Sequence, residues 1–312
     1  MSIHHTNTAR PKSSDLFQNP VFLLLVTGTL IGFNFPLGKF ASDVQISPMM
    51  WAMVVSLGAA AMLLPILIRK QCLSVPKGRV LRYVVVSAII SFIAPNVLLF
   101  SVIPYVGSGY TGLMFALSPV FTLTLAGLFR LKGPRVLGIT GIMFGLAGAM
   151  IVTFTRGLAP EAPPMLWIVA ALSIPLLLAC GNVYRTLDWP PQVAPDVLAF
   201  WSHAFAVIVF LGLLFITTGT VPVLELTRAP WAAMSQAVVA GLTFPFFFRL
   251  QQHGGPVLLS QIGYIAAAVG LLAATLVFGE QYGRMTWIGA GVIGSGIVLT
   301  VVAQKIESRA AT

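Results

Sequence analysis

Ten apolar segments of about 20 residues follow one another through this chain, the length that carries a helix across a bilayer. The second five repeat the first five. A shift of 148 positions carries Asn34 onto Asn182, Gly107 onto Gly255, Gly141 onto Gly289 and Gly148 onto Gly296 without a gap. Five crossings per copy turn the second copy upside down relative to the first. The sequence therefore predicts an all-α integral membrane fold of ten transmembrane helices, arranged as two inverted five-helix repeats. Alternating-access carriers follow this plan, with the substrate at the midplane where the halves meet.

A water-soluble globule is excluded by composition. Of the 312 residues, 57% are hydrophobic and 8% charged, against about a quarter charged in a soluble domain. The spans are expected at 20–40, 48–68, 81–104, 109–130, 135–155, 165–188, 196–217, 230–250, 256–279 and 285–304. A disordered cytoplasmic tail (1–18) precedes the first repeat (19–155). A linker (156–164) with Pro160, Pro163 and Pro164 leads to the second repeat (165–304), and a short cytoplasmic tail (305–312) closes the chain. The apolar run from Val21 is too long for a signal-peptide core. Cys72 and Cys180 form neither a disulfide framework nor a metal motif.

The net charge of +10 is a topology signal rather than a nucleic-acid footprint. With the N-terminus in the cytoplasm, the inner segments carry 14 of the 18 Lys and Arg residues. The outer ones carry Lys39, Arg156, Arg228 and Arg284. The positive-inside rule then places both termini in the cytoplasm.

All eight carboxylates, among them Asp43, Asp188, Asp196, Glu225 and Glu280, fall at or beyond the expected span ends. No embedded acid is left to hold a cationic substrate, and no cluster of Asp, Glu, His or Cys suggests a metal. What lies inside is uncharged and aromatic. Asn34 and Phe35 in the first span answer Asn182 and Tyr184 in the sixth. An amide in lipid is costly without a partner, so the two asparagines either hold a polar solute or tie neighbouring backbone. Asn96, Met114, Ser118, Phe244, Gln261 and Tyr264 complete the candidate lining. Met114 and Ser118 share a face with Tyr110 at i+4 and i+8, and Tyr110 is read as interfacial. Pro36, Pro95, Pro119 and Pro245 interrupt their spans as hinges or as static kinks. His203 is read as a structural histidine. The glycine-rich faces of the fifth and tenth spans suit close helix packing within one bundle, so a monomer is expected over a dimer. No cofactor is expected.

Several motifs together resemble the drug/metabolite transporter superfamily, in its EamA-type ten-helix form. The first span reads Gly32-Phe33-Asn34-Phe35, the fourth Ala116-Leu117-Ser118-Pro119 followed by Leu131-Lys132, and the ninth closes Phe278-Gly279-Glu280. The resemblance covers residues 20–304. One departure stands out: Lys132 occupies the position where the first repeat would carry the acid that Glu280 supplies in the second. The resemblance implies a cavity lined by the first, third, fourth, sixth, eighth and ninth spans. It also implies export of small metabolites, most like that of bacterial amino-acid exporters, the aromatic ones included.

The expected function is a secondary-type carrier that exports amino acids or related small metabolites across a bacterial inner membrane by alternating access. Its expected partners are a small-molecule substrate and the lipid bilayer, with no nucleic acid. A multidrug or nucleotide-sugar carrier of the same fold is the alternative. A membrane-embedded enzyme would need a nucleophile with its base, or a metal pair, and the sequence offers neither. A cavity without fixed buried charge, as read here, suits a zwitterion.

Overall fold

The computed structural model describes residues 18–131, 133–157 and 163–310, which are helical with no strand. Lys132, the expected N-terminal tail apart from Gln18, and most of the linker lie outside the described residues. Eight helical stretches among the described residues are long and apolar enough to cross a membrane, and the shorter apolar helices Val136–Val152 and Ile262–Phe278 stand beside them. In chain order the elements are α1 (Pro20–Gly32), α2 (Asn34–Asp43), α3 (Pro48–Arg69), α4 (Gly78–Ser87), a π-helical turn (Ala88–Ile93), α5 (Ala94–Val106), α6 (Ser108–Phe115) and α7 (Ser118–Leu128). There follow α8 (Val136–Gly157), α9 (Met165–Leu187), α10 (Pro195–Thr218), a 3-10 turn (Val223–Arg228), α11 (Pro230–Ser260), α12 (Ile262–Phe278) and α13 (Arg284–Ala310).

Several expected spans are broken, and proline explains three of the breaks. The expected helix 20–40 divides at Phe33. Pro36 has no N–H for the Gly32 carbonyl and its ring crowds that turn, and the Phe33 amide turns instead to Leu30 at i−3. Asn34 donates from Nδ2 to the Ile31 carbonyl at 2.9 Å. Ahead of Pro95 the chain widens into the π-helical turn, and Asn96 donates to the Phe92 carbonyl at 2.7 Å. Pro119 follows the break at Ala116–Leu117 between α6 and α7. In each case backbone carbonyls lose their usual partners within an apolar surrounding, where only side chains or 3-10 bonds can replace them.

Two glycines mark where the chain reverses. Gly107 between α5 and α6 has φ 85, and Gly255 inside α11 has φ 69 and ψ −174, so α11 is two helices meeting at a kink. A side chain is strained at positive φ, and these two positions are related by the repeat shift.

The glycine-rich faces of α8 and α13 pack against each other. A Cβ built on Gly148 would lie 2.5 Å from the Gly289 carbonyl oxygen, and one on Gly296 would lie 2.5 Å from that of Gly141. The repeat shift exchanges these two contacts, the relation expected of a local two-fold axis. The small-residue stripes are thus used between helices of one chain.

Glycine also admits Phe35. Its ring is fully buried between Gly112 of α6 and Gly270 of α12, and it meets the Phe115 ring edge-on at 5.0 Å. Tyr110, read from sequence as interfacial, is buried at 2% exposure. α6 lies against α12, which covers the face that sequence alone assigned to the membrane boundary.

Gly148→Val should lower the thermal midpoint of the detergent-purified protein, since overpacking costs about 1–3 kcal/mol. Gly294→Val, at an open position of α13, should leave the midpoint unchanged. Differential scanning fluorimetry on both variants checks the pair, and equal midpoints for the two would overturn the assignment.

Candidate functional site

Two adjoining cavities lie where the helices of both halves converge. The first, about 60 Å³, is lined by Asn34, Phe35, Ser91, Pro95, Asn96 and Phe244 together with Val55, Phe92 and Leu99. The second, about 50 Å³, is lined by Ser118, Asn182, Leu259, Ser260, Ile262 and Gly263. Ile31, Phe115, Leu178 and Phe247 line both. The walls are apolar with a few polar anchors, the usual character of a small-solute site.

The two repeat-related asparagines are each positioned by a partner on another helix. The Asn34 Oδ1 accepts from Gln236 Nε2 of α11 at 2.6 Å. The Asn182 Nδ2 reaches Thr122 Oγ1 of α7 at 3.5 Å, and its backbone carbonyl accepts from Gln251 Nε2 at 3.2 Å. Repeat-related asparagines therefore reach the centre from opposite halves and tie different helices.

A group that the sequence placed in aqueous surroundings lies beside them. Arg185 is 1% exposed. Its Nη2 donates to Asn182 Oδ1 at 2.7 Å, its Nε to Gln251 Oε1 at 3.3 Å and its Nη1 to Ser91 Oγ. The guanidinium lies over the Phe247 ring at 4.9 Å and the Phe92 ring at 5.7 Å. The expected absence of a fixed buried charge is corrected here. Arg185 sits on the last turn of α9, two residues before its end, and α11 and the π-helical turn fold over it. His203 is buried as well. Its Nδ1 lies 3.4 Å from Ser56 Oγ, and its ring is held between Phe92 and Phe244.

The two ends of the bundle differ. At one end Asp188 binds Arg79 Nε at 3.0 Å, Arg82 Nε at 3.0 Å and Tyr184 Oη at 2.8 Å. Asp196 binds Arg249 Nη2 at 2.9 Å and Lys70 Nζ at 3.5 Å. These pairs join α3, α4, α9, α10 and α11 across that end. At the other end, where α3 and α9 begin, a vestibule of about 580 Å³ opens among Ser42, Ser47, Trp51, Phe100, Tyr105 and Trp167. Tyr105 and Trp167, one from each half, stack there with rings 3.8 Å apart. On that end too, Glu280 accepts from Ser108 Oγ at 2.9 Å and from Tyr282 Oη, which ties the loop after α12 to the start of α6.

Of the candidate residues, Asn34, Phe35, Asn96, Ser118, Asn182, Phe244 and the hinge candidate Pro95 line the two cavities. Met114, Gln261 and Tyr264 are buried at 2% or less and are not among the lining residues. Tyr264 lies against Gly145 and donates to the Ile142 carbonyl at 3.2 Å, so it joins α12 to α8. Tyr184 belongs to the Asp188 cluster and stacks on Tyr83. Pro36 and Pro119 stand in the first turns of α2 and α7, and Pro245 lies inside α11. Sequence reasoning brings Arg185 near the cavity but does not count it, Gln251 or Phe247 among the site residues.

The EamA-like transporter family matches residues 18–154 and again residues 165–302. The chain belongs to this family. A relative from Escherichia coli (strain K12), named "Uncharacterized inner membrane transporter YedA", is 23% identical over 269 residues, 83% of each chain. The Escherichia coli O157:H7 protein of that name matches equally. A solved structure described only as "Crystal structure of protein" shares the fold at a TM-score of 0.64, with 16% identity, covering 88% of this chain and 98% of its own. Within this EamA-like chain the two family matches coincide with the two halves that supply the cavities.

The hydrogen bond from Arg82, with those from Tyr184 and Arg79, holds the Asp188 carboxyl below the ordinary carboxylate range against the opposing effect of burial. Its contribution is complete above the unfolded value of about 3.9 and is lost as pH falls through the lowered one. Asp188→Asn should therefore unfold at a lower temperature than wild type. The gap should stay constant from about pH 7 to 5 and shrink only below about pH 4. Thermal scans of both proteins across that range check this.

Proposed function

We propose that this chain is an alternating-access carrier exporting amino acids or related small metabolites across a bacterial inner membrane. The observation that carries the reading is the pair of small central cavities lined from both halves, lying between an end tied by ion pairs and an end that opens into a vestibule. A carrier needs a central site whose two exits open in turn.

Ten spans in two inverted five-helix repeats belong to the proposal. The double family match supports it, as do the positive-φ glycines at repeat-related positions and the two-fold glycine contacts of α8 and α13. With the kink at Gly255 as a boundary, α11 splits into a span ending near Gly254 and a short helix that continues into α12. The ion-paired end is assigned to the cytoplasm. Removing Arg185 from the inner count leaves 13 Lys and Arg inside against 4 outside, which still favours both termini in the cytoplasm. The inner-membrane assignment follows the name of the Escherichia coli relative, and export is the direction the superfamily resemblance implies.

Asn34, Asn96, Ser118, Asn182 and Phe244 are the proposed substrate contacts, with Pro95 a hinge beside them. Counterflow in proteoliposomes tests the reading. Labelled amino acid should accumulate only in vesicles preloaded with unlabelled amino acid. Asn34→Ala and Asn182→Ala should each slow that accumulation by about tenfold, the loss of one hydrogen bond to a charged group, with unchanged membrane insertion. Absence of counterflow for every amino acid would overturn the substrate class, and leakage independent of preload would overturn the carrier.

A further inference from the structure

Among the described residues, Arg185 is a buried charge inside the bundle with no carboxylate bonded to it. Every acceptor it meets is neutral: Ser91 Oγ, Asn182 Oδ1 and Gln251 Oε1. Among the described residues no carboxylate forms an ion pair with it, because Asp188 is held by Arg79 and Arg82 and Asp196 by Arg249 and Lys70. Desolvating a lone charge is expensive unless something pairs with it, and an ionised side chain within a membrane bundle ordinarily marks a substrate path.

We infer that Arg185 is the anion anchor of the central site and that the substrate is a small monocarboxylate with an apolar or aromatic body, amino acids among them. This deepens the proposed function and rests on it. Ser91 and Phe92 line the first cavity, Asn182 lines the second and Phe247 lines both. The guanidinium therefore stands directly behind the wall shared by the two cavities. A guanidinium has five N–H donors, and the three neutral acceptors leave two for a carboxylate, which binds such a fork bidentately. The faces of Phe92 and Phe247 moderate the charge while the site is empty. The same rings supply an apolar floor for the substrate body. One buried cation matches one negative charge rather than a nucleotide diphosphate. None of the lining residues is acidic, so the ammonium of an amino acid is tolerated rather than required, and an amine lacking a carboxylate meets only repulsion.

The test is ligand-dependent thermal stabilisation of the purified full-length protein. The probes are phenylalanine, leucine, their carboxamides, 3-phenylpropionate and phenethylamine. The two amino acids and 3-phenylpropionate should raise the midpoint, and the carboxamides and the amine should not. Arg185→Gln should weaken binding of the acids roughly thirtyfold or more and abolish the preference for acid over amide. A residue that merely braces α9 would change the midpoint of the free protein and leave that preference intact. If Arg185→Gln does not fold, the wild-type comparison of acid with amide decides alone. Equal stabilisation by acid and amide, or a preference that survives in Arg185→Gln, overturns the anchor while counterflow can still uphold the carrier. Failure of every acid and amide to bind, together with absent counterflow, overturns both.

Discussion

Lipid supplies no hydrogen bonds, and this shapes the molecule more than any single contact. Every polar group between the two surfaces must be met by protein or by solute. The breaks at Phe33 and before Pro95 free backbone groups in the middle of the bundle, and Asn34 and Asn96 each donate to a nearby carbonyl. Gln236 then holds Asn34 from another helix. The asparagines are scaffold and lining at once: each amide donates to a carbonyl of its own chain segment, and both residues line the first cavity. Arg185 is the group this economy leaves incomplete, with three neutral acceptors around a full charge.

The proposed internal two-fold is closest where only shape matters. The contacts of Gly141 with Gly296 and of Gly148 with Gly289 exchange under the repeat, and Gly107 and Gly255 both take positive φ. It fails where charge matters. The repeat shift puts Leu37 opposite Arg185 and Phe40 opposite Asp188. Helix packing tolerates a symmetric solution, whereas a site for an asymmetric solute, sealed at one end and open at the other, does not. The charges that distinguish the ends sit mainly on the second half and on the loops it meets.

Much of the fold is legible because lipid makes hydropathy an almost direct readout of position, and the glycine spacing is what suggests the repeat. The set of cavity helices is what the family resemblance implies, while Asn34, Phe35, Asn96, Ser118, Asn182 and Phe244 come from asking which polar or aromatic groups lie deep. The same rule misplaced Arg185. Three residues from the expected span end, a basic side chain ordinarily reaches water, and only Ser91 and Gln251, 94 and 66 positions away, make burial tolerable. The positions of Tyr264, outside the lining of both cavities, and Tyr110, beneath α12, have a related cause. Sequence gives a residue's depth but not which neighbour covers it, and Gly145 makes the space that draws the Tyr264 ring toward α8.

A central cavity that opens to each side in turn is most directly examined at Asn96. Asn96→Cys in a background lacking Cys72 and Cys180 can be modified with a membrane-impermeant thiol reagent from either side of oriented vesicles. The account predicts modification from both sides. Asp188→Asn, which loosens the ion-paired end, should raise the rate from that side and lower it from the vestibule side. Modification from one side alone, or rates that rise together on both sides as in a continuous pore, would contradict alternating access.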